Sequence, residues 1–213
     1  AWVGRGEALV YAREDAASPW RRQAVLTPGV AEDTADFGTS VAIAECECLI
    51  AVGAWHDRDS QGSVYLFFKK TDGEWAELQK LAPDATRRSQ SGFFHGNYSY
   101  TVALTDQYLA VKAPYDSYLN TYAEQDPNRG VVYVYERGDD GRFAQADRLF
   151  TPEGTQVSTR PTDVLFLDGF LLVGAPGRNR VYVFERTGAT GATEGQGAGD
   201  AGGYRKAAEL VPS

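Results

Sequence analysis

Between residues 49 and 81 the sequence reads Leu49-Ile-Ala-Val-Gly-Ala-Trp55, then Val64-Tyr-Leu-Phe67, then Trp75-Ala-Glu-Leu-Gln-Lys-Leu81. The first stretch is apolar throughout, as in a strand buried on both faces, and the second alternates at the two-residue period of a β-strand. The third places an aromatic residue six positions before a leucine. Three such segments in a row, separated by turn-forming residues, predict an antiparallel sheet.

The same order of segments recurs along the chain. The aromatic-to-leucine segment begins at Trp20, Trp75, Phe143 and Tyr204, so successive copies are 55, 68 and 61 residues apart. A period of this length is compatible with a four-stranded propeller blade that carries variable loops. Each complete unit is therefore predicted to hold four short antiparallel strands, which we call A to D in chain order.

These units predict an all-β protein, a partial β-propeller with about three and a half four-stranded blades present. The predicted units are a half blade at 1–28, complete blades at 36–83, 98–152 and 162–212, and a flexible loop at 187–203 within the last blade. The first unit has only strands C and D, and the sequence lacks methionine even at position 1. We expect upstream blades or a neighbouring subunit to supply the missing strands, because an uncovered strand edge is a site for pairing.

Net charge and the length of the apolar stretches argue against nucleic acid and against membrane insertion, respectively. The 213 residues carry 21 Lys and Arg against 29 Asp and Glu, for a net charge of −8. A chain of this charge repels phosphate backbones, so nucleic acid is not an expected partner. No apolar stretch is long enough for a spanning helix, so no membrane insertion is expected in this segment.

Short motifs at the strand ends resemble the FG-GAP repeat, which builds the integrin α-like β-propeller and many secreted or surface proteins. Phe37-Gly38 opens strand A of the second unit, and Gly53-Ala54-Trp55 and Gly174-Ala175-Pro176 close strand B of two units. The third unit departs from the pattern, with Tyr98-Ser99 in place of Phe-Gly and Lys112 in place of the glycine. The resemblance implies a propeller fold and an extracellular or cell-surface location.

The resemblance raises the question of calcium binding, because integrin-like repeats commonly bind calcium through an Asp-x-Asp-x-Asp-Gly run in the A–B hairpin. The A–B hairpins of this chain lack that run, so no calcium is expected in them. Asp57 and Asp59, in the B–C loop of the second unit, are weak metal candidates without a later acidic ligand, and a solvated loop is favoured there. No cofactor is expected.

Cys46 and Cys48 lie in an A–B hairpin two residues longer than its counterparts. A pair separated by one residue rarely reaches relaxed disulfide geometry, so we predict unpaired or intermolecularly bonded thiols. A zinc site would need His56 and His95 as further ligands, with C-x-C in place of the usual C-x₂-C spacing, and is disfavoured.

Aromatic and polar residues in two B–C loops predict a binding rim. Tyrosines set among Asn and Asp are typical contact residues of binding loops. The equally open alternative is that these loops fold onto their own blades. The predicted rim residues are Trp55, His56, Asp57, Tyr115, Tyr118 and Tyr122.

No catalytic constellation is visible, because the two histidines lie on different loops and no Gly-x-Ser-x-Gly elbow occurs. We therefore predict a non-catalytic extracellular or cell-surface protein whose propeller serves binding, cell adhesion or structural assembly, with protein or glycan as partner. The alternative is an accessory propeller domain of a larger secreted enzyme. Asn97, in Asn97-Tyr98-Ser99, is a candidate glycosylation site.

Overall fold

The structure, a computed structural model, describes residues 6–29, 36–57, 61–83, 98–113, 131–149, 163–176, 179–187 and 203–211. Fourteen strands in these ranges form one two-stranded and three four-stranded antiparallel sheets. The predicted all-β partial propeller is confirmed. The described part of the chain contains no helix with the length and apolar character needed to cross a membrane.

Each sheet is one blade, and its strands follow one another in chain order. Blade 1 is the half blade β1 (Ala8–Ala12) and β2 (Arg21–Leu26). Blade 2 comprises β3 (Phe37–Ile43), β4 (Leu49–Ala54), β5 (Ser63–Lys69) and β6 (Trp75–Leu81). Blade 3 comprises β7 (Thr101–Leu104), β8 (Tyr108–Ala113), β9 (Val131–Arg137) and β10 (Phe143–Leu149). Blade 4 comprises β11 (Val164–Leu167), β12 (Phe170–Ala175), β13 (Arg180–Arg186) and β14 (Tyr204–Leu210).

The hydrophobic core lies between the blades. Strand β4 is buried along its whole length because blade 1 covers one of its faces and blade 3 the other. Alternate residues of β8 likewise face blade 2, through Leu109 and Val111, or blade 4, through Ala110. The continuous apolar runs of the second strands therefore reflect burial on both faces.

A β-bulge recurs at the same position of strand D in all four units, which shows that the units are equivalent. In each blade the pairing of the last two strands skips one residue, and that residue lies three positions after the repeated aromatic residue. A bulge adds local twist and marks a fixed register, so its recurrence places Trp20, Trp75, Phe143 and Tyr204 at equivalent positions. Trp20 directly precedes β2, whereas the other three residues open their strands.

Neighbouring D strands are joined by hydrogen bonds between a side chain of one blade and the backbone of another. Gln79 accepts from the backbone N–H of Phe143 and donates to its carbonyl, both at 2.9 Å. Polar side chains thus fix the position of one blade on the next while the apolar faces supply the burial. An equivalent bond joins Tyr204 N–H to Asp147 at 3.1 Å, and a different one joins Gly29 N–H, just after β2, to Glu77 of β6 at 2.8 Å.

The prediction for the two cysteines is wrong, because Cys46 and Cys48 form a disulfide within the β3–β4 hairpin. Their Cα atoms are 5.1 Å apart, within the ordinary range for a disulfide. Glu47 between them has a φ of 52°, and this left-handed conformation turns the backbone sharply enough for the two side chains to meet. The extra length of the hairpin accommodates this turn.

Blade 1 leaves an apolar face exposed. Trp20 is 61% exposed, whereas its equivalents Phe143 and Tyr204 are buried against the preceding blade. Leu9, Tyr11 and Val25 of the same half blade are also exposed. The expectation that further strands cover this blade stays a prediction.

Candidate binding rim

The loop that follows β4 begins with two stacked rings. The rings of Trp55 and His56 are 3.8 Å apart between centroids and lie at 25° to one another. His56 Nδ1 is 2.5 Å from Oδ2 of Asp36, the residue directly before β3. An acidic side chain at this distance orients the imidazole, so the pair presents a fixed aromatic and polar surface.

Tyr100, at the entrance to β7, extends this surface onto blade 3. Its ring stands at 89° to the Trp55 ring, with 6.1 Å between centroids, which is the edge-to-face arrangement that aromatic pairs prefer. The two loops are in contact because the Tyr98 N–H donates to the Gln61 carbonyl at 3.1 Å. Gly62 permits this approach, since a Cβ there would lie 2.0 Å from the Tyr98 carbonyl oxygen.

A buried lysine lies beneath Tyr100. Lys112 is only 2% exposed, and its Nζ is 4.9 Å from the centroid of the Tyr100 ring, within the range of a cation–π interaction. Burial lowers the pKa of Lys112 to about 8, although the nearby carboxylate of Asp163 opposes the change. We call Asp36, His56, Trp55 and Tyr100 the rim row; it crosses from blade 2 to blade 3, and Lys112 is buried beneath it.

Asp57, a predicted rim residue, is buried beneath the surface and is only 1% exposed. Its Oδ2 accepts from the Tyr65 hydroxyl at 2.8 Å and lies 2.8 Å from Lys80 Nζ. Burial, with Asp57 alongside, raises the pKa of Tyr65 far above its usual range. The carboxylate is thus committed to two neighbours of its own blade, which leaves it unsuited to contact a ligand at the surface.

Comparison with known proteins bears on the repeat within which this site lies. A sequence model described as the FG-GAP repeat matches residues 20–67, which run from strand D of blade 1 to strand C of blade 2. Residues 20–67 are thus similar to the FG-GAP repeat. The predicted resemblance is thereby confirmed over the segment that holds Asp36, Trp55 and His56. No curated protein sequence matches the chain.

Solved structures share the fold. One of them is the periplasmic gluconolactonase of Pseudomonas aeruginosa, with a TM-score of 0.50 and 15% sequence identity over 87% of this chain. The chain spans 48% of the length of that structure. An identity this low supports a common propeller architecture and nothing further.

Several predicted site residues lie outside the described residues. They are the three rim tyrosines Tyr115, Tyr118 and Tyr122, the metal candidate Asp59 and the glycosylation candidate Asn97. Across the described ranges, no group of three or more His, Cys, Asp or Glu side chains is placed to hold a metal ion. Of the predicted rim, the structure therefore brings together Trp55 and His56.

The prediction missed Asp36 and Tyr100 of the rim row and the buried Lys112 beneath it. Asp36 directly precedes the Phe-Gly pair of the FG-GAP repeat, and Tyr100 follows the Tyr98-Ser99 pair that replaces it in blade 3. Lys112 occupies the glycine position of the strand B motif. The sequence did contain a signal for these residues: all three lie at or next to motif positions of adjacent repeats, and a propeller places such positions on the same rim.

Proposed function

We propose that this chain is a non-catalytic binding module whose rim row takes a protein or glycan ligand at the cell surface or outside the cell. The observation that carries the proposal is the continuous row of rings from His56 through Trp55 to Tyr100. Single exposed aromatic residues are ordinary, but rings in mutual contact across two blades form an extended platform.

The chemistry of the row favours a glycan. Tyr100 is 47% exposed and forms a right-angled corner with Trp55, which suits the apolar C–H faces of a sugar ring. Asp36 and His56 at one end supply groups that can hydrogen-bond to hydroxyls. The flanking polar groups and central rings match the usual composition of a ligand site, in which a few polar atoms fix orientation.

Three features support a location outside the cytoplasm. The Cys46–Cys48 disulfide is of a kind that persists in oxidising compartments. FG-GAP repeats occur in surface and secreted proteins, and the gluconolactonase with the same fold is periplasmic. Adhesion and structural assembly are the uses of such a module that we consider first.

Binding can be tested with soluble hexasaccharides: β-1,4-linked glucose, β-1,3-linked glucose and α-1,4-linked galacturonic acid. Trp55→Ala and Tyr100→Ala should each weaken the best of them by about tenfold or more in titration calorimetry, since central aromatic contacts dominate binding energy. Trp20→Ala, which removes a more exposed indole from blade 1, is the matched control and should leave the affinity unchanged. Equal affinity in all variants, or no binding by any hexasaccharide, rejects the glycan ligand.

The second candidate is an accessory propeller of a larger secreted enzyme. It is favoured by one observation: the fold is shared with a gluconolactonase of which the chain spans 48%. If this chain itself hydrolyses a sugar lactone, the ring of glucono-1,5-lactone should open faster in its presence than in buffer. The reaction is followed by base consumption at constant pH. A rate equal to that of buffer shows that this chain alone does not open the lactone, and any enzyme activity would then belong to another part of the larger protein.

A further inference from the structure

The disulfide between Cys46 and Cys48 encloses a single residue, and its contribution to the fold is correspondingly small. The stabilisation from a cross-link grows with the length of chain that it closes, and this loop is near the minimum. The hairpin is also held without sulfur. Ala44 N–H donates to the Leu49 carbonyl and Glu47 N–H to the Ala44 carbonyl, both at 3.0 Å.

The two sulfurs differ in their surroundings. Cys46 is exposed at the tip of the hairpin, whereas Cys48 is partly buried and packs against the core between blades 2 and 3. An incoming nucleophile therefore reaches Cys46 Sγ, with Cys48 Sγ as the leaving group. The Cys48 N–H lies 3.2 Å from Cys46 Sγ and points a donor at the sulfur that is released when the mixed disulfide on Cys46 is resolved.

The backbone of the turn also favours opening of the bond. Glu47 has a φ of 52°, a left-handed conformation that is unfavourable for a residue with a side chain. The disulfide requires the two cysteine side chains to stay together around this residue, and its reduction removes that requirement. Release of backbone strain makes a disulfide easier to reduce.

We propose that the Cys46–Cys48 disulfide is a thiol–disulfide exchange site that oxidises thiols. The thiolate of the substrate attacks Cys46 Sγ, the Sγ–Sγ bond breaks, and the electron pair leaves on Cys48 Sγ, which takes up a proton. A second substrate thiolate then attacks the substrate sulfur of the mixed disulfide and releases Cys46 as a thiol. Two thiols become one disulfide, and the protein disulfide takes up two electrons and two protons.

The charges around the site select among thiols. Glu45 and Glu47 flank Cys46 in the hairpin and are exposed, and Asp106 of the next hairpin accepts the Cys46 N–H at 2.9 Å. One cationic residue, Lys69, is bound to this hairpin: its backbone N–H donates to the Cys48 carbonyl at 2.9 Å. Three carboxylates against one ammonium group disfavour anionic thiols, so the substrates are neutral or cationic thiols.

The test compares cysteamine, 2-mercaptoethanol and glutathione as cationic, neutral and anionic thiols. Reduction is followed by mass spectrometry after alkylation, and the chain has only these two cysteines, so the result is unambiguous. Each rate is divided by the rate of the same thiol with a neutral linear disulfide, bis(2-hydroxyethyl) disulfide. We expect a ratio about tenfold higher for cysteamine than for glutathione, and a mixed disulfide on Cys46.

Two sets of variants separate exchange from a structural role. Glu45→Gln with Glu47→Gln should bring the cysteamine and glutathione ratios together without changing the fold. Cys46→Ser with Cys48→Ser should retain the thermal unfolding midpoint to within a few degrees. Ratios near one for all thiols, attack at Cys48, or unfolding of the double serine variant at a much lower temperature would each overturn the proposal.

Discussion

Blades 2 and 3 solve the same packing problem with different residues. In blade 2 the Phe37 ring meets the Tyr65 ring edge-to-face, with 5.4 Å between centroids and 72° between planes. In blade 3 Tyr98 meets Tyr133 at 5.4 Å and 68°. The geometry of the repeat is therefore preserved although the Phe of Phe-Gly has become Tyr.

The added hydroxyl of Tyr98 has a matching partner. It donates to the hydroxyl of Tyr135 at 2.6 Å, and Tyr135 lies where blade 2 has Phe67. Both phenols are buried, which raises the pKa of Tyr135 to about 12 and that of Tyr98 well above its usual value. Two phenylalanine-to-tyrosine differences thus occur together, because one buried hydroxyl alone would lack a partner.

The two glycine positions of the motif are also occupied by other residues in blade 3. Ser99 keeps the left-handed backbone of Gly38, with φ values of 76° and 97°. Its hydroxyl accepts the Ala54 N–H at 3.1 Å, and its carbonyl accepts from Ser40 at 2.8 Å, so the strained residue ties blade 3 to blade 2. Gly53 leaves room for this contact, whereas blade 3 has Lys112 at the equivalent site.

The largest effect is expected from Gly53→Ala. A Cβ there would lie 2.3 Å from Ser40 Oγ and 2.5 Å from the Ser99 carbonyl oxygen, so the blades must separate. We expect the free energy of unfolding to fall by about 3 kcal/mol in denaturant titration. The matched control is Gly73→Ala, where a Cβ meets nothing within 4 Å and only the positive φ of 86° costs about 1 kcal/mol.

A gain in stability is expected from Lys112→Met. The difference between a lysine pKa of 10.5 and one of about 8 corresponds to about 3 kcal/mol. Loss of the cation–π contact with Tyr100 offsets about 1 kcal/mol, so a net gain of about 2 kcal/mol at pH 7 is expected.

The pH dependence of this gain identifies its cause. Below pH 8 Lys112 is charged in the folded and unfolded protein, whereas between pH 8 and 10.5 only the unfolded protein keeps the proton. The unfolding free energy of the natural protein should therefore rise relative to the methionine variant across this interval. A difference that is constant with pH would contradict the burial of a charged Lys112.

A smaller effect is expected from Tyr98→Phe, which leaves the Tyr135 hydroxyl buried without its partner. The unfolding free energy should fall by about 1–2 kcal/mol. Adding Tyr135→Phe recreates the Phe37 and Phe67 pair of blade 2 and should recover about 1 kcal/mol of that loss. Additive losses in the double-mutant cycle would show that the two hydroxyls do not interact.

These differences explain how much of the fold could be predicted from the sequence. Strand positions follow from local alternation and from the aromatic-to-leucine spacing, which read the same in every blade. The hydroxyl pairing of Tyr98 with Tyr135 spans 37 positions, and Lys112 interacts with Asp163, which lies 51 positions further along the chain, so neither leaves a local signal. The disulfide was missed because it depends on the positive φ of Glu47, which no neighbouring residue type requires.

The binding rim was predictable only in part for the same reason. Trp55 and His56 are recognisable as loop aromatics that follow a buried strand. Asp57 resembles them in sequence, but its burial depends on Lys80 and Tyr65 of the same blade. Tyr100 joins the row through the packing of one blade on the next, which the repeat period alone does not specify.

Fluorine NMR of protein labelled with 5-fluorotryptophan tests the central claim, that the rim row is the ligand-binding surface, most directly. The chain has four tryptophans, so four signals can be assigned by single Trp→Phe replacements. During titration with the best of the three hexasaccharides, the Trp55 signal should shift in a saturable manner while the Trp20 signal stays fixed. A stationary Trp55 signal at saturating ligand, or a shift at Trp20 alone, would contradict the account.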